Sequence, residues 1–110
     1  MESAVERKAE NEAIFRDANE RIRAVRAELA IDGKTPFFCE CEDPDCRELV
    51  RLDLHEYEAI RASPARFVIA PGHPHGSGPV VGEHDGYLVV EKEGAARRVA
   101  VETDPRSEDG

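Results

Sequence analysis

Phe38-Cys39-Glu40-Cys41-Glu42-Asp43-Pro44-Asp45-Cys46 holds all three cysteines of the chain. Its spacing, C-x-C-x4-C, decides how the fold is read. In an extended segment residues i and i+2 point to one face, so Cys39 and Cys41 can offer both sulfurs to one ion. Asp43-Pro44-Asp45 supplies a turn that brings Cys46 back to the same place. A structural zinc takes four Cys or His ligands at about 2.0–2.3 Å, so a fourth must come from elsewhere. The candidates are His55, His73, His75 and His84. His73 follows an apolar run, and Gly72 before it permits a tight turn. It is preferred, with His75 and then His55 as alternatives.

Glu40, Glu42, Asp43 and Asp45 set negative charge beside the thiols, which disfavours thiolate and raises the pKa of a free cysteine. A bound divalent cation reverses this and forces deprotonation. The cluster therefore reads as a structural zinc site, with Cys39, Cys41, Cys46 and His73 as metal ligands, rather than as a thiol nucleophile. Three cysteines are an odd number, which disfavours a disulfide framework.

Outward from the cysteines, Thr35-Pro36-Phe37-Phe38-Cys39 reads as a strand entering the loop and Leu49-Val50-Arg51-Leu52 as the strand leaving it, a hairpin-like knuckle. Asp53-Leu54-His55-Glu56 is a capping-box pattern, so a helix is expected from Leu54 to about Ala62, stopped by Ser63-Pro64. Phe67-Val68-Ile69-Ala70 is a continuous apolar run, consistent with a strand buried on both faces. Residues 71–79 are rich in Pro, Gly and His and read as a loop. One short helical turn is expected over Val80 to Asp85 and a strand over Tyr87–Lys92; residues 95–103 are ambiguous, Ala95-Ala96-Arg97-Arg98 favouring helix and Val99-Ala100-Val101 strand, and are read as helix.

Upstream, residues 3–31 read as one long helix, with Gly33 placed to cap its end. Acids lead and arginines follow, which complements the helix dipole. Glu12–Arg16 and Asp17–Arg21 are i,i+4 pairs. Phe15, Ala18, Ile22, Val25 and Leu29 are spaced 3-4-3-4, a seam of little more than two heptads that is too short to be stable alone. Packing on its own domain is the plain reading, and contact with a partner or a second copy the sharper one. The first dozen residues lack an apolar stripe and are expected to project or fray.

The fold class is α+β: a long N-terminal helix plus a small zinc-stapled sheet of three to four short strands with one or two short helices. Residues 1–33 form the charged helical arm, 34–104 the zinc-binding domain, and 105–110 a disordered tail. A chain of 110 residues is one domain, small enough to benefit from a metal staple. Charged residues make up 35% and the net charge is −9, which opposes binding to phosphate backbones and anionic membranes. No apolar run is long enough for a membrane span, and the first residues lack a signal-peptide core. Both point to the cytoplasm, where thiols stay reduced.

The stretches Asn19-Glu20-Arg21, Phe38-Cys39-Glu40-Cys41, Pro44-Asp45-Cys46, Tyr57-Glu58-Ala59-Ile60-Arg61, Arg66–His73, Gly86–Lys92 and Asp104-Pro105-Arg106 cover most of the chain. Together they resemble a group of small uncharacterised bacterial proteins, common in actinobacteria, that carry the same cysteine cluster behind an N-terminal helix. The resemblance implies a cytoplasmic bacterial protein in which Cys39, Cys41, Cys46 and His73 match the shared pattern. It implies no activity. His75 and Gly76-Ser77-Gly78 fall outside that pattern.

The leading functional expectation is a non-enzymatic, zinc-stabilised interaction module, regulatory in role. It would meet a protein partner or a second copy through Phe15, Ile22, Val25 and Leu29. The first alternative is a small zinc enzyme with an open metal position and Glu83 or His84 as base. The others are a zinc-knuckle protein that contacts nucleic acid through Arg16, Arg21, Arg23, Arg26, Arg97 and Arg98, and a zinc-release redox switch.

Overall fold

The hairpin around the cysteines is present. In the computed structural model, which describes residues 3–73 and 78–106, β1 (Thr35–Phe38) pairs antiparallel with β2 (Leu49–Leu52), Thr35 opposite Leu52 and Phe38 opposite Leu49. Asp53 caps α2 (Leu54–Arg61) through the expected capping box with Glu56. A three-stranded antiparallel sheet follows, built from β3 (Arg66–Ile69), β4 (Val80–His84) and β5 (Tyr87–Glu91) in the order β3-β5-β4. α3 (Gly94–Glu102) closes the domain where the ambiguous 95–103 segment was expected to be helical.

One element differs from expectation. Val80–His84 is an edge strand, not a helical turn, so the sheets hold five strands between them. Asp85-Gly86 forms the two-residue turn that sets His84 opposite Tyr87, with Gly86 at φ 89°. Asp-Gly between two apolar runs is among the strongest short hairpin signals, and the sequence reading passed over it.

Glu40 links the two sheets through both its backbone and its side chain. β3 lies at a sheet edge, yet Phe67, Val68 and Ile69 are fully buried. Glu40 seals that edge: its backbone N–H donates to Val68 O (2.7 Å) and its carboxylate accepts from Val68 N–H (3.0 Å). Phe37 and Tyr57 stack face to face at 4.4 Å beneath the hairpin and tie α2 to it.

The long helix α1 (Ala4–Glu28) is capped by Ser3, whose hydroxyl accepts from Glu6 N–H while the Glu6 carboxylate accepts from Ser3 N–H. This S-x-x-E box was legible in the sequence. The expectation that the first dozen residues project is corrected. Ala9 is buried against Ala96 and Val99 of α3, and Arg98 pairs with Glu6 at 2.9 Å.

The helix also ends before Gly33. Ala30 takes the left-handed position at φ 54°, with Ala30 N–H donating to Ala27 O and Ile31 N–H to Arg26 O, the bond pattern of a Schellman cap. An L side chain there costs about 1 kcal/mol. Ala30→Gly is therefore expected to raise unfolding free energy by about 1 kcal/mol, read by urea denaturation. No gain would mean that the cap does not hold in solution.

The core-facing side of α1 carries polar groups, which breaks the expected seam. Glu12 pairs with the buried Lys92. Arg16 donates to Pro64 O (2.8 Å) and Ala100 O (2.9 Å) and lies over the Phe67 ring. The expected Glu12–Arg16 pair is absent because both side chains turn inward to these partners. Asp17 and Arg21 form no ion pair within 4 Å among the described residues. Further along, Arg61 bridges Glu20 (2.7 Å) and Asp104, and Arg106 reaches Glu20 and Glu58. Arg106 was expected in a disordered tail and is instead tied down by charge; residues 107–110 lie outside the described part.

Burial pushes the Glu12 carboxyl up to about 7, with Lys92 acting against the shift and Glu42 and Glu40 adding to it. Between the ordinary 4.5 and about 7 the folded chain holds a proton that the unfolded chain has released. Stability therefore falls as pH rises through that window. From pH 5 to 7.5 the native chain is expected to lose on the order of 2 kcal/mol more than Glu12→Gln does. Parallel urea curves at the two pH values measure this, and identical slopes for both proteins would refute it.

Candidate metal centre

Each of the four candidate ligands is placed by a local feature. β1 runs on past Phe38, since Cys39 N–H donates to Glu48 O at 3.0 Å, so Cys39 and Cys41 share a face as an extended segment requires. Asp43 Oδ1 accepts from Asp45 N–H (2.9 Å) and Asp43 O accepts from Cys46 N–H (3.1 Å). This turn around Pro44 returns Cys46 to the other two cysteines. At the end of β3 the chain turns through Gly72 at φ 84°, with His73 N–H donating to Ala70 O.

The result is a convergent quartet. Cys39, Cys41 and Cys46 are buried, His73 is half-buried, and their ligand atoms all lie within 4.8 Å of one another. His73 Nδ1 is 3.5 Å from both Cys39 Sγ and Cys46 Sγ. A tetrahedral ion with Zn–S near 2.3 Å and Zn–N near 2.05 Å has S···N edges of about 3.5 Å. The three cysteines are free thiols with no disulfide. The quartet is thus close enough to hold a metal ion.

Of the other histidines weighed, His55 lies exposed on α2 and His84 exposed on β4, neither in the cluster. His75 falls outside the described residues.

The electrostatics run in the expected direction for a different reason. Burial is the main force holding the Cys39 and Cys41 thiols above their ordinary range; Cys41 and Cys46 add to it at Cys39, and Cys46 adds to it at Cys41, where the Cys39 hydrogen bond acts the other way. The carboxylates contribute little. Glu40 points away from the sulfurs, and Asp43 and Asp45 are exposed. Acting against burial, Ala70 N–H donates to Cys39 Sγ at 3.1 Å and the Asp43 amide bonds the Cys41 sulfur. Such amides favour thiolate, the form a metal needs.

Sequence reasoning missed the residues that brace the cluster. Glu40 is fully buried between Cys39 and Cys41, accepting from Asn19 Nδ2 (2.8 Å) and Tyr57 O–H (3.3 Å) as well as from Val68 N–H. Asn19 in turn accepts from Phe38 N–H and donates to Phe38 O. α1 is thereby bolted to the cysteine segment. No periodicity announces such residues; the only signal was an acid between two cysteines of an extended run, on the face opposite the ligands.

The partner residues expected on α1 divide. Phe15 is buried against Phe38, and Ile22 is half-buried against the core. Val25 and Leu29 are 53% and 63% exposed, joined on that side by Ile14 at 65%. The arginines expected to contact nucleic acid are mostly occupied: Arg16 is buried, Arg23 pairs with Glu20 and Glu58, Arg97 with Glu91, and Arg98 with Glu6.

No protein-family model matches the chain, and neither the curated proteins nor the solved structures contain a match. Fold and site define an α+β chain with a Cys3His cluster able to hold a metal. No helix among the described residues is long and apolar enough to cross a membrane.

Proposed function

We propose that the chain is a non-enzymatic, zinc-stapled interaction module that presents the outer face of α1 to another protein. The observation carrying this is the Cys39/Cys41/Cys46/His73 quartet, whose atoms converge from two segments to within 4.8 Å of one another, with two S···N distances of 3.5 Å. Four protein ligands complete a tetrahedron and leave no position for a substrate or a reactive water. Sulfur-rich donors favour zinc over the hard cations. The metal then acts on shape: it pins the hairpin to the end of β3, and through Glu40 and Asn19 it fixes α1. What the pinned helix offers outward is apolar, at Ile14, Val25 and Leu29.

Protein purified under reducing conditions is expected to carry one zinc per chain, lost in Cys41→Ser. Cobalt substitution is expected to give intense tetrahedral d–d bands with thiolate charge transfer, unmoved by cyanide or a hydroxamate. Bands that shift with either ligand would expose an open position and support the enzyme reading instead.

A further inference from the structure

α1 has two working faces. One is buried in the domain through Ala9, Glu12, Ala13, Arg16 and Asn19. On the opposite side Ile14, Ala18, Val25 and Leu29 recur at helical spacing, with exposed side chains at 14, 25 and 29. Two shallow hollows follow this side. The first, about 260 Å³, lies between Ile14, Ala18, Phe38 and Arg47; the second, about 310 Å³, between Arg21, Ile22, Val25 and Arg26.

Their charge is unlike the rest of the molecule. The chain carries −9, yet no carboxylate lines either hollow. Arginine alone provides the charge: Arg47 at one hollow, Arg21 and Arg26 at the other. None of the three forms an ion pair within 4 Å among the described residues. Arg47 donates to loop carbonyls and Arg26 to Thr35 Oγ1.

We infer that this face docks an amphipathic helix of a different protein, anchored by aliphatic side chains and flanked by Asp and Glu. This rests on the reading of the chain as an interaction module and names its partner. Apolar anchors in a groove supply affinity, and opposite rim charges supply selection and encounter rate. A second copy fits poorly, because a two-fold contact sets the same patch against itself and brings Arg21 and Arg26 toward their own equivalents. An anionic membrane fits poorly as well, since the remaining surface is acidic.

The test uses zinc-loaded full-length chain and two synthetic helical peptides with the same Leu stripe at i, i+3, i+4 and i+7. One carries Glu at the flanking positions and the other Lys. Fluorescence anisotropy at low salt is expected to give at least about tenfold tighter binding of the Glu-flanked peptide, a preference that shrinks at high salt. Val25→Glu is expected to weaken that binding at least tenfold, and the pair Arg21→Glu and Arg26→Glu to reverse the preference, with zinc content and circular dichroism unchanged. Equal binding of both peptides would overturn the inference. So would preferential binding to phosphatidylserine vesicles. A dimer seen by sedimentation and dissolved by Val25→Glu would overturn the partner while keeping the interaction module. Neither peptide binding nor self-association would remove both.

Discussion

Removal of the metal is expected to collapse the cysteine hairpin and free α1, not merely to loosen a loop. Structural zinc in small sites contributes about 10–16 kcal/mol of apparent binding energy, while a whole domain is stable by only about 5–15 kcal/mol. The apo chain therefore lies near or past its own unfolding midpoint. Three buried thiols would be left without their cation beside one another. The β3 edge would lose the Ala70 N–H to Cys39 Sγ bond, and Glu40 its fixed position against Val68. Chelation at neutral pH, or Cys41→Ser, should lower Tm by more than about 10 °C or abolish the cooperative transition. Hydrogen exchange should report the order of events, with protection lost first at Cys39, Glu40, Val68 and Ala70, while β5 retains it longer. His73→Ala should be milder, because the half-buried fourth position can be taken by water. A chelated chain with an unchanged Tm would show that the quartet is packing rather than a staple.

How much of this was legible in the sequence depends on what kind of force set each feature. The hairpin, the α2 capping box, the buried β3 run and the convergence of the three cysteines follow from short-range rules: alternation, turn chemistry, and sulfur spacing; His73, 27 and 34 residues from the cysteines it meets, was a preference over His75 and His55. The α1 face did not follow, because its hydrophobic pattern points the wrong way. Glu12, Arg16 and Asn19 look solvent-facing on any hydropathy count, yet each is buried with a partner 19 to 84 residues distant. A buried charge is tolerated only when its partners are in place, and those lie on β5's end, α3 and the cysteine segment. Long-range pairing of that kind leaves no periodic trace. The apolar residues displaced from the inner face, Ile14, Val25 and Leu29, are then left outside, so the misreading of the helix and its exposed stripe have one cause.

Glu40 is where the Cys3His cluster and the helix meet, and its replacement should have the second large effect. Its carboxylate accepts from three donors on three elements: Asn19 on α1, Tyr57 on α2 and Val68 on β3. Burial raises its pKa, and the Asn19 and Val68 donors, with the charges of Arg16 and Arg61, oppose the rise. Glu40→Ala leaves the Tyr57 hydroxyl and the Val68 amide buried without this acceptor and opens a gap at the joint between the sheets. A cost of about 3–5 kcal/mol is expected, read by denaturation with zinc in excess. Glu40→Gln offers one acceptor and turns its NH2 toward a donor, so it should recover only part of this, to a cost of about 1–2 kcal/mol. Neither variant touches a ligand atom, and zinc stoichiometry should stay at one per chain. Zinc affinity should nonetheless fall about 10–100-fold, the usual consequence of removing a group that orients ligands. Competition with a chromogenic chelator measures that fall directly. If Glu40→Ala lost stability while binding zinc as tightly as the native chain, the helix and the metal would be independent, and α1 would owe its placement to the Glu12–Lys92 and Arg16 contacts instead.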